Sequence, residues 1–265
     1  LRQLGLAALQ YEGSHRKFSP GQIGPPLFQP FPPDGQYYGI CAGTITFLLP
    51  YLEQNALGKQ IQEHLDTKPE AAPWWTFNQL KAAASSPMPG LVCPSDAGME
   101  PQLPYLVAMH AAMHENQWEM RYKIIAPPDW DGIPPSRTSY FGVAGYSGEV
   151  GIPSVDHWRG IFLNRTSISV KNVTDGLSHT FMFGECRCRQ NNARMYNASW
   201  FCGPLPTCSG LTGNNWPQFG SGHTGVVNFA FADGAVHGIS VDIDLENYHA
   251  LSGIADGTVI SQLLD

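Results

Sequence analysis

His223 and Asp233 are the first residues to weigh for chemistry. A histidine can move a proton near neutral pH, a carboxylate can orient it, and the stretch SGHTGVVNFAFADGAVHGIS (residues 221–240) holds both. The alternation of apolar and polar residues on either side of Asp233-Gly234 predicts two strands joined by a tight turn. Asp-Gly is the pair suited to a two-residue type I′ turn, in which both positions need positive φ. Nine residues intervene between the histidine and the aspartate, and at ~3.3 Å per residue they hold the two up to about 30 Å apart along an extended strand. A direct catalytic contact is therefore not expected. Asp233 and Gly234 are explained by the turn, and His223 reads as a buried or capping side chain beside Gly222 and Gly225.

A second candidate is MHAAMHENQWEM (residues 109–120). Read as a helix, it places His110 and His114 on one face with Met109, Met113 and Glu115 nearby, a spacing that suits copper or zinc. A third ligand is not evident, and Ala111 after His110 rules out the His-Glu-x-x-His zinc pattern, so no metal and no cofactor are expected. Asp242, Asp244 and Glu246 alternate as calcium ligands do, but without the glycine and closing glutamate of a calcium loop; a helix starting at Asp244 accounts for them. Gly-x-Ser-x-Gly, a phosphate loop and a dinucleotide fingerprint are all absent. The chain is read as not being an enzyme. The seven tryptophans, at 74, 75, 118, 130, 158, 200 and 216, suit packed loops and subunit contacts as well as a sugar-binding surface.

The six cysteines, at 41, 93, 186, 188, 202 and 208, contain no Cys-x-x-Cys. Zinc ribbons and thioredoxin-type redox sites thereby lose support. Structural disulfides are expected, with at least one bridge among Cys186, Cys188, Cys202 and Cys208; the first two lie on an apparent strand and the last two flank the turn GPLPT. Asn164, Asn172 and Asn197 head Asn-x-Ser/Thr sequons and are the candidate glycan sites.

The elements that must position these residues follow from patterning. Residues 1–15 (LRQLGLAALQYEGSH) repeat Leu1, Leu4, Ala8 and Tyr11 at helical spacing, and Leu6 and Leu9 lie off that stripe. An extended proline-rich loop (19–35) is expected next, then a helix through TFLLPYLEQNALGKQIQEHL with Pro50 in a first turn, a short helix at FNQLKAAA and a strand ending in GLVCPSD. From about 100 to 137 the composition turns to Met, His, Trp and Pro without strand alternation, which reads as an insertion. Strands are then expected at TSYFGVAG, GIFLN, SISV and HTFMFGE, followed by the 221–240 hairpin, a helix at DLENYHAL and a last strand at TVISQLL. Helix first and sheet later makes the expected class α+β: residues 1–15 as part of an N-terminal helix, residues 16–265 as a single head domain.

Composition narrows the partners. Charged residues are 14%, against about 25% in an average soluble domain, while 28 glycines and 22 prolines describe a turn-rich chain. A net charge of −7 supplies no basic field for phosphates or anionic lipids. No run of ~18 apolar residues spans a bilayer, although an upstream signal or anchor segment stays compatible with a chain that opens on Leu1.

The stretches LRQLGLAALQYEGSHRKFSP, LLPYLEQ, LVCPSD, SYFGVAG, VTDGLSHTFMFGE and the H-x9-DG hairpin followed by ISVDIDLENYHALSG occur in an order that resembles a large family of bacterial prepilin-like proteins with a C-terminal H-x9-DG domain. The resemblance runs from residue 1 to about 260, interrupted by the 100–137 segment. It implies a pilin-like N-terminal helix packed on an antiparallel sheet, continuing an upstream hydrophobic helix with a short basic leader, and His223, Asp233 and Gly234 as the structural signature. It also implies a cysteine just before the stretch matching Leu1, as a partner for Cys93. His179 departs from the pattern, where asparagine is usual. The expectation drawn is a non-enzymatic, exported pilin- or pseudopilin-like subunit that self-assembles into a cell-surface or extracellular filament or tube. Its partners are copies of itself, other pilin-like subunits and a secretion or pilus assembly machine, and it meets the membrane only through the upstream helix. A chain beginning near Tyr11 is expected to stay monomeric. The alternative is a membrane-anchored binding or secretion-accessory module for polysaccharide, peptide or metal.

Overall fold

The structure, a computed structural model, describes residues 1–26, 39–96, 103–114, 117–126, 134–191, 193–211, 216–258 and 260. In chain order the elements are α1 (Arg2–His15), β1 (Gln22–Ile23), β2 (Ala42–Gly43), α2 (Thr44–Leu48), α3 (Asn55–Gln62), α4 (Asn78–Ala84), β3 (Tyr105–His114), β4 (Gln117–Ile125), β5 (Tyr140–Gly142), α5 (Pro153–Asp156), β6 (Phe181–Glu185), β7 (Arg189–Gln190), β8 (Ala193–Arg194), β9 (Asn197–Ala198), β10 (Val226–Phe231), β11 (Val236–Ser240) and α6 (Leu245–Ser252). The chain thus mixes α and β structure, with several antiparallel sheets. Among the described residues no helix is long and apolar enough to cross a membrane.

The principal sheet has the order β11-β10-β6-β5, all antiparallel. Every residue of β6 is buried, because the sheet is covered on both faces. Met182 and Ala230 meet α1, whose Leu4, Ala7 and Ala8 are buried with them. Phe181, Phe229 and Phe231 pack on the other side with Tyr248 of α6; the Phe181 and Phe229 rings stack at 4.2 Å. Gly5 brings α1 close to the sheet: a Cβ there would lie 3.6 Å from Gly234 Cα and 3.7 Å from Ala230 Cβ. Helix α1 ends at Arg16, which takes the left-handed conformation (φ 61°) and returns its N–H to the Glu12 carbonyl.

Several expected elements form differently. The 100–137 segment carries strands where no strand alternation was read and where 109–120 was read as a helix: β3 and β4 pair antiparallel from Tyr105↔Ile125 to His114↔Gln117, and β3 also runs parallel to β9. The helix expected across residues 46–65 is broken into α2, a 3₁₀ turn at Leu49–Leu52 that holds Pro50 in its first turn, and α3; Glu53, at φ 62°, makes the break. The strand expected to end in LVCPSD is a 3₁₀ turn at Pro89–Leu91 leading into an irregular segment. GIFLN and SISV carry isolated bridges and a 3₁₀ turn at Val170–Asn172 in place of strands. Most of the expected TVISQLL strand, and residues 27–38 around the proline-rich loop, lie outside the described residues.

The 221–240 hairpin forms, with a different turn. Phe231 and Ala235 are joined through Phe231 N–H, and Gly234 N–H donates to the Phe231 carbonyl at 2.9 Å, so the loop has three residues. Gly234 takes positive φ (87°) and Asp233 does not. This is a type I turn closed by a left-handed glycine rather than type I′, and it places one extra residue at the tip. Asp233 Oδ1 accepts from Ala235 N–H at 2.8 Å, and Asp233 N–H donates to the Leu177 carbonyl at 3.1 Å, so the aspartate is a turn-former anchored to the body.

Candidate functional site

The hairpin serves α1 at both ends. At its tip, Gly234 lies beneath Leu6 and Leu9; a Cβ on Gly234 would stand 3.2 Å from Leu9 Cδ1 and 3.6 Å from Leu6 Cδ2. At its root, His223 precedes β10 and reaches Glu185, the last residue of β6, with Nε2 3.4 Å from Glu185 Oε1. Cys93 Sγ is 3.7 Å from the same Nε2. Leu1, at the start of α1, lies close to both Glu185 and Cys93. The H-x9-DG spacing is thus the length of strand that underlies the first turns of α1, and His223 and Asp233 work at opposite ends of it.

His223 is neither buried nor a helix cap: its side chain is 34% exposed, while those of Cys93 and Glu185 are 4% exposed. The loop that holds it is set by Ser221, whose Oγ accepts from His223 N–H at 3.0 Å and donates to the Val226 carbonyl at 2.6 Å. Glu185 is fixed from the other side, its Oε2 accepting from Asn228 N–H at 3.0 Å. Burial, then the hydrogen bond with Glu185, pushes the Cys93 thiol up, so the sulfur stays protonated at neutral pH. Burial, followed by the fields of Cys93 and Glu185, likewise pushes the nearby Tyr140 phenol well up.

Asp96 pins Cys93. Its carboxylate, 1% exposed, accepts Arg137 Nη1 at 2.8 Å and Ser139 Oγ at 2.8 Å on Oδ2, and Arg187 Nε at 3.2 Å and Arg194 Nη2 on Oδ1. Arg137 also donates to the Asp96 main-chain carbonyl, and Asp96 N–H donates to that of Cys93 at 2.9 Å. Burial would raise the Asp96 pKa, but the Ser139 hydrogen bond and the Arg194 and Arg137 charges outweigh it and hold the carboxyl below its ordinary range. Four chain segments are tied at one carboxylate.

The remaining expected sites are not brought together. His110 and His114 lie on strand β3, where four residues span about 13 Å, so the helical spacing that suggested a shared ligand face does not apply. Glu115 lies outside the described residues. The expected disulfides are not formed: no disulfide joins any of the six cysteines in the structure, and Cys186 Sγ and Cys188 Sγ stand 4.0 Å apart, about twice a sulfur–sulfur bond length. Cys202 is buried as well, and burial pushes its thiol far up. Asn197 is fully buried, which leaves no room for a glycan on the folded protein. The Asn164 amide is engaged with Gly24 N–H and the Pro25 carbonyl, and Asn172 is exposed with its carbonyl oxygen bonded to Ser169. Asp244 caps α6 as expected, its Oδ1 accepting from Glu246 N–H at 3.1 Å and Asn247 N–H at 3.0 Å.

Patterning missed the grouping of Cys93, Glu185 and His223, which 130 residues of chain separate at the extremes. Each residue sits within or at the end of a distinctive stretch, LVCPSD, FMFGE and SGH, but no one stretch points to the others. A family model described as "Protein of unknown function (DUF1559)" matches residues 1–200 and 189–246. No curated protein and no solved structure matches the chain.

Proposed function

We propose that this chain, which belongs to the DUF1559 family of proteins of unknown function, is a non-enzymatic, exported, pilin-like structural subunit that assembles with copies of itself into a cell-surface or extracellular filament or tube. The observation that carries the reading is the two-sidedness of α1. Leu4, Ala7 and Ala8 are buried against the sheet, whereas Leu6 on the same helix is 45% exposed. Leu6 borders a cleft of about 350 Å³ shared with Leu1, Leu4, Tyr51, Met88 and Leu91. An identical subunit offers each copy the same helix and the same cleft, and a head-to-tail contact between unlike surfaces extends without closing. In this reading α1 continues an upstream hydrophobic helix that anchors or assembles the subunit, and the hairpin is its cradle.

The buried face of α1 changes how assembly is tested. A chain beginning near Tyr11 loses Leu4, Ala7 and Ala8 from the core, so truncation removes folding along with assembly. Leu6→Glu separates the two. Because Leu6 is exposed, the variant is expected to keep its circular dichroism and to melt within about 0.5 kcal/mol of the parent. Native full-length protein carrying it should appear as single subunits by electron microscopy where the parent forms polymers. A parent found solely as monomers at cell-surface concentration counts against the proposal and favours an anchored binding or secretion-accessory module.

A further inference from the structure

The cluster at the root of the hairpin has the donors and spacing of a metal site. One ligand atom from each of Cys93, Glu185 and His223 lies within 4.8 Å of the other two. They come from three segments: the loop clasped at Asp96, the end of β6 and the loop before β10. Zinc bound tetrahedrally by sulfur at about 2.3 Å, nitrogen at about 2.05 Å and oxygen at about 2.1 Å sets an N···O edge near 3.4 Å and an S···N edge near 3.6 Å. The corresponding separations here are 3.4 Å and 3.7 Å.

Two other uses of these residues fit less well. A nucleophilic Cys-His-carboxylate relay needs the thiol and the carboxylate on opposite ring nitrogens, so that one side takes the proton and the other orients the ring. Here both face Nε2. A purely structural ion pair accounts for His223 and Glu185 but leaves a buried sulfur aimed at the same point.

We infer that Cys93, Glu185 and His223 form a binding site for a single zinc-class divalent cation, distinct from the His110/His114 pair and independent of whether the chain polymerises. Binding of the cation displaces the Cys93 thiol proton to solvent, and the resulting thiolate with the Glu185 carboxylate balances a dication, which a buried pocket favours. The ligands are pre-positioned: Glu185 by Asn228 N–H at 3.0 Å, Cys93 by the Asp96 clasp and His223 by Ser221. The exposed edge of His223 gives the ion a path from solvent and leaves the fourth coordination position to water. Bound there, the ion crosslinks the three segments beneath the start of α1 and raises the melting temperature.

The test uses the reduced, refolded full chain with Zn²⁺ and Co²⁺ as the probes. After dialysis, zinc should remain at about one per chain, and cobalt should give the thiolate-to-metal charge-transfer absorption of a sulfur-ligated tetrahedral site. Cys93→Ser and His223→Ala should each abolish both signals, and Glu185→Gln should weaken zinc at least tenfold. The double variant His110→Ala/His114→Ala should retain both. His223→Gln, judged by circular dichroism, guards against a misfolded alanine variant. Failure of the reduced parent to retain zinc overturns the inference, as does a cobalt spectrum unchanged by Cys93→Ser. So does mass spectrometry of native protein that finds Cys93 bridged to another cysteine. None of these results bears on polymer formation, which the Leu6→Glu comparison reports separately.

Discussion

Asp96→Ala is expected to lower stability by about 3–5 kcal/mol, a large part of the roughly 5–15 kcal/mol that holds a typical domain folded. The parent carboxylate is 1% exposed and faces Arg137 and Arg194, which are also buried, with Arg187 17% exposed. Removing it leaves three guanidinium groups together without their shared acceptor. Urea denaturation followed by tryptophan fluorescence measures the loss, and a shift below about 1 kcal/mol would show that the arginines find other partners. The pH dependence has a definite sign. Because the folded-state pKa is depressed, the stabilisation is fully present above the unfolded carboxylate value near 3.9 and is lost as pH falls through the folded value. The gap between parent and Asp96→Asn is therefore expected to be flat near neutral pH and to shrink below about pH 4.

The second large effect is expected at Phe181, where Phe181→Ala should cost about 3–5 kcal/mol. Its ring is wholly buried, stacks on Phe229 at 4.2 Å and meets Phe231 edge-on at 5.1 Å. Tyr248 of α6 completes the group at 5.9 Å. The group joins β6, β10 and α6, so a cavity there loosens the packing of that helix on the sheet as well as removing transferred surface. Phe181→Leu is expected to cost less than half as much, because it refills most of the volume. Equal losses in the two variants, measured by chemical denaturation, would mean that the aromatic contacts rather than the volume carry the energy.

Much of what was legible in the sequence is local chemistry. Asp244 announces a helix because its short carboxylate can cap the N–H groups two and three residues on, and it does so. Asp233-Gly234 announces a turn, and the turn type and loop length differed, because only Gly234 takes positive φ while Asp233 keeps negative φ and bonds Ala235 N–H. The β3–β4 hairpin was hidden because histidine and methionine recur every four residues in 109–114, a spacing that reads as helical until β4 supplies a hydrogen-bonding partner. The candidate site was hidden for a different reason. Its three donors are contributed by separate segments, and nothing in any one of them reports the other two. The Asp96 hub was equally silent, since Arg137, Arg187 and Arg194 stand 41, 91 and 98 residues from Asp96 along the chain.

The Asp96 hub also sets the evolutionary freedom of the chain that leaves and returns to it. Asp96 stands at one end of the 97–136 stretch and Arg137 and Ser139 at the other, and their bonds close that stretch into a ring anchored at its base. Beyond Leu106, β3 pairs only with β4 among the described strands. Length added between β3 and β4 therefore enlarges a ring that is already closed, at a cost of only about 0.6 kcal/mol for each doubling. The body on either side has no need to adjust. Added length at the far end of this hairpin is therefore expected to leave the scaffold intact, and a foreign peptide grafted there is expected to be tolerated in the same way.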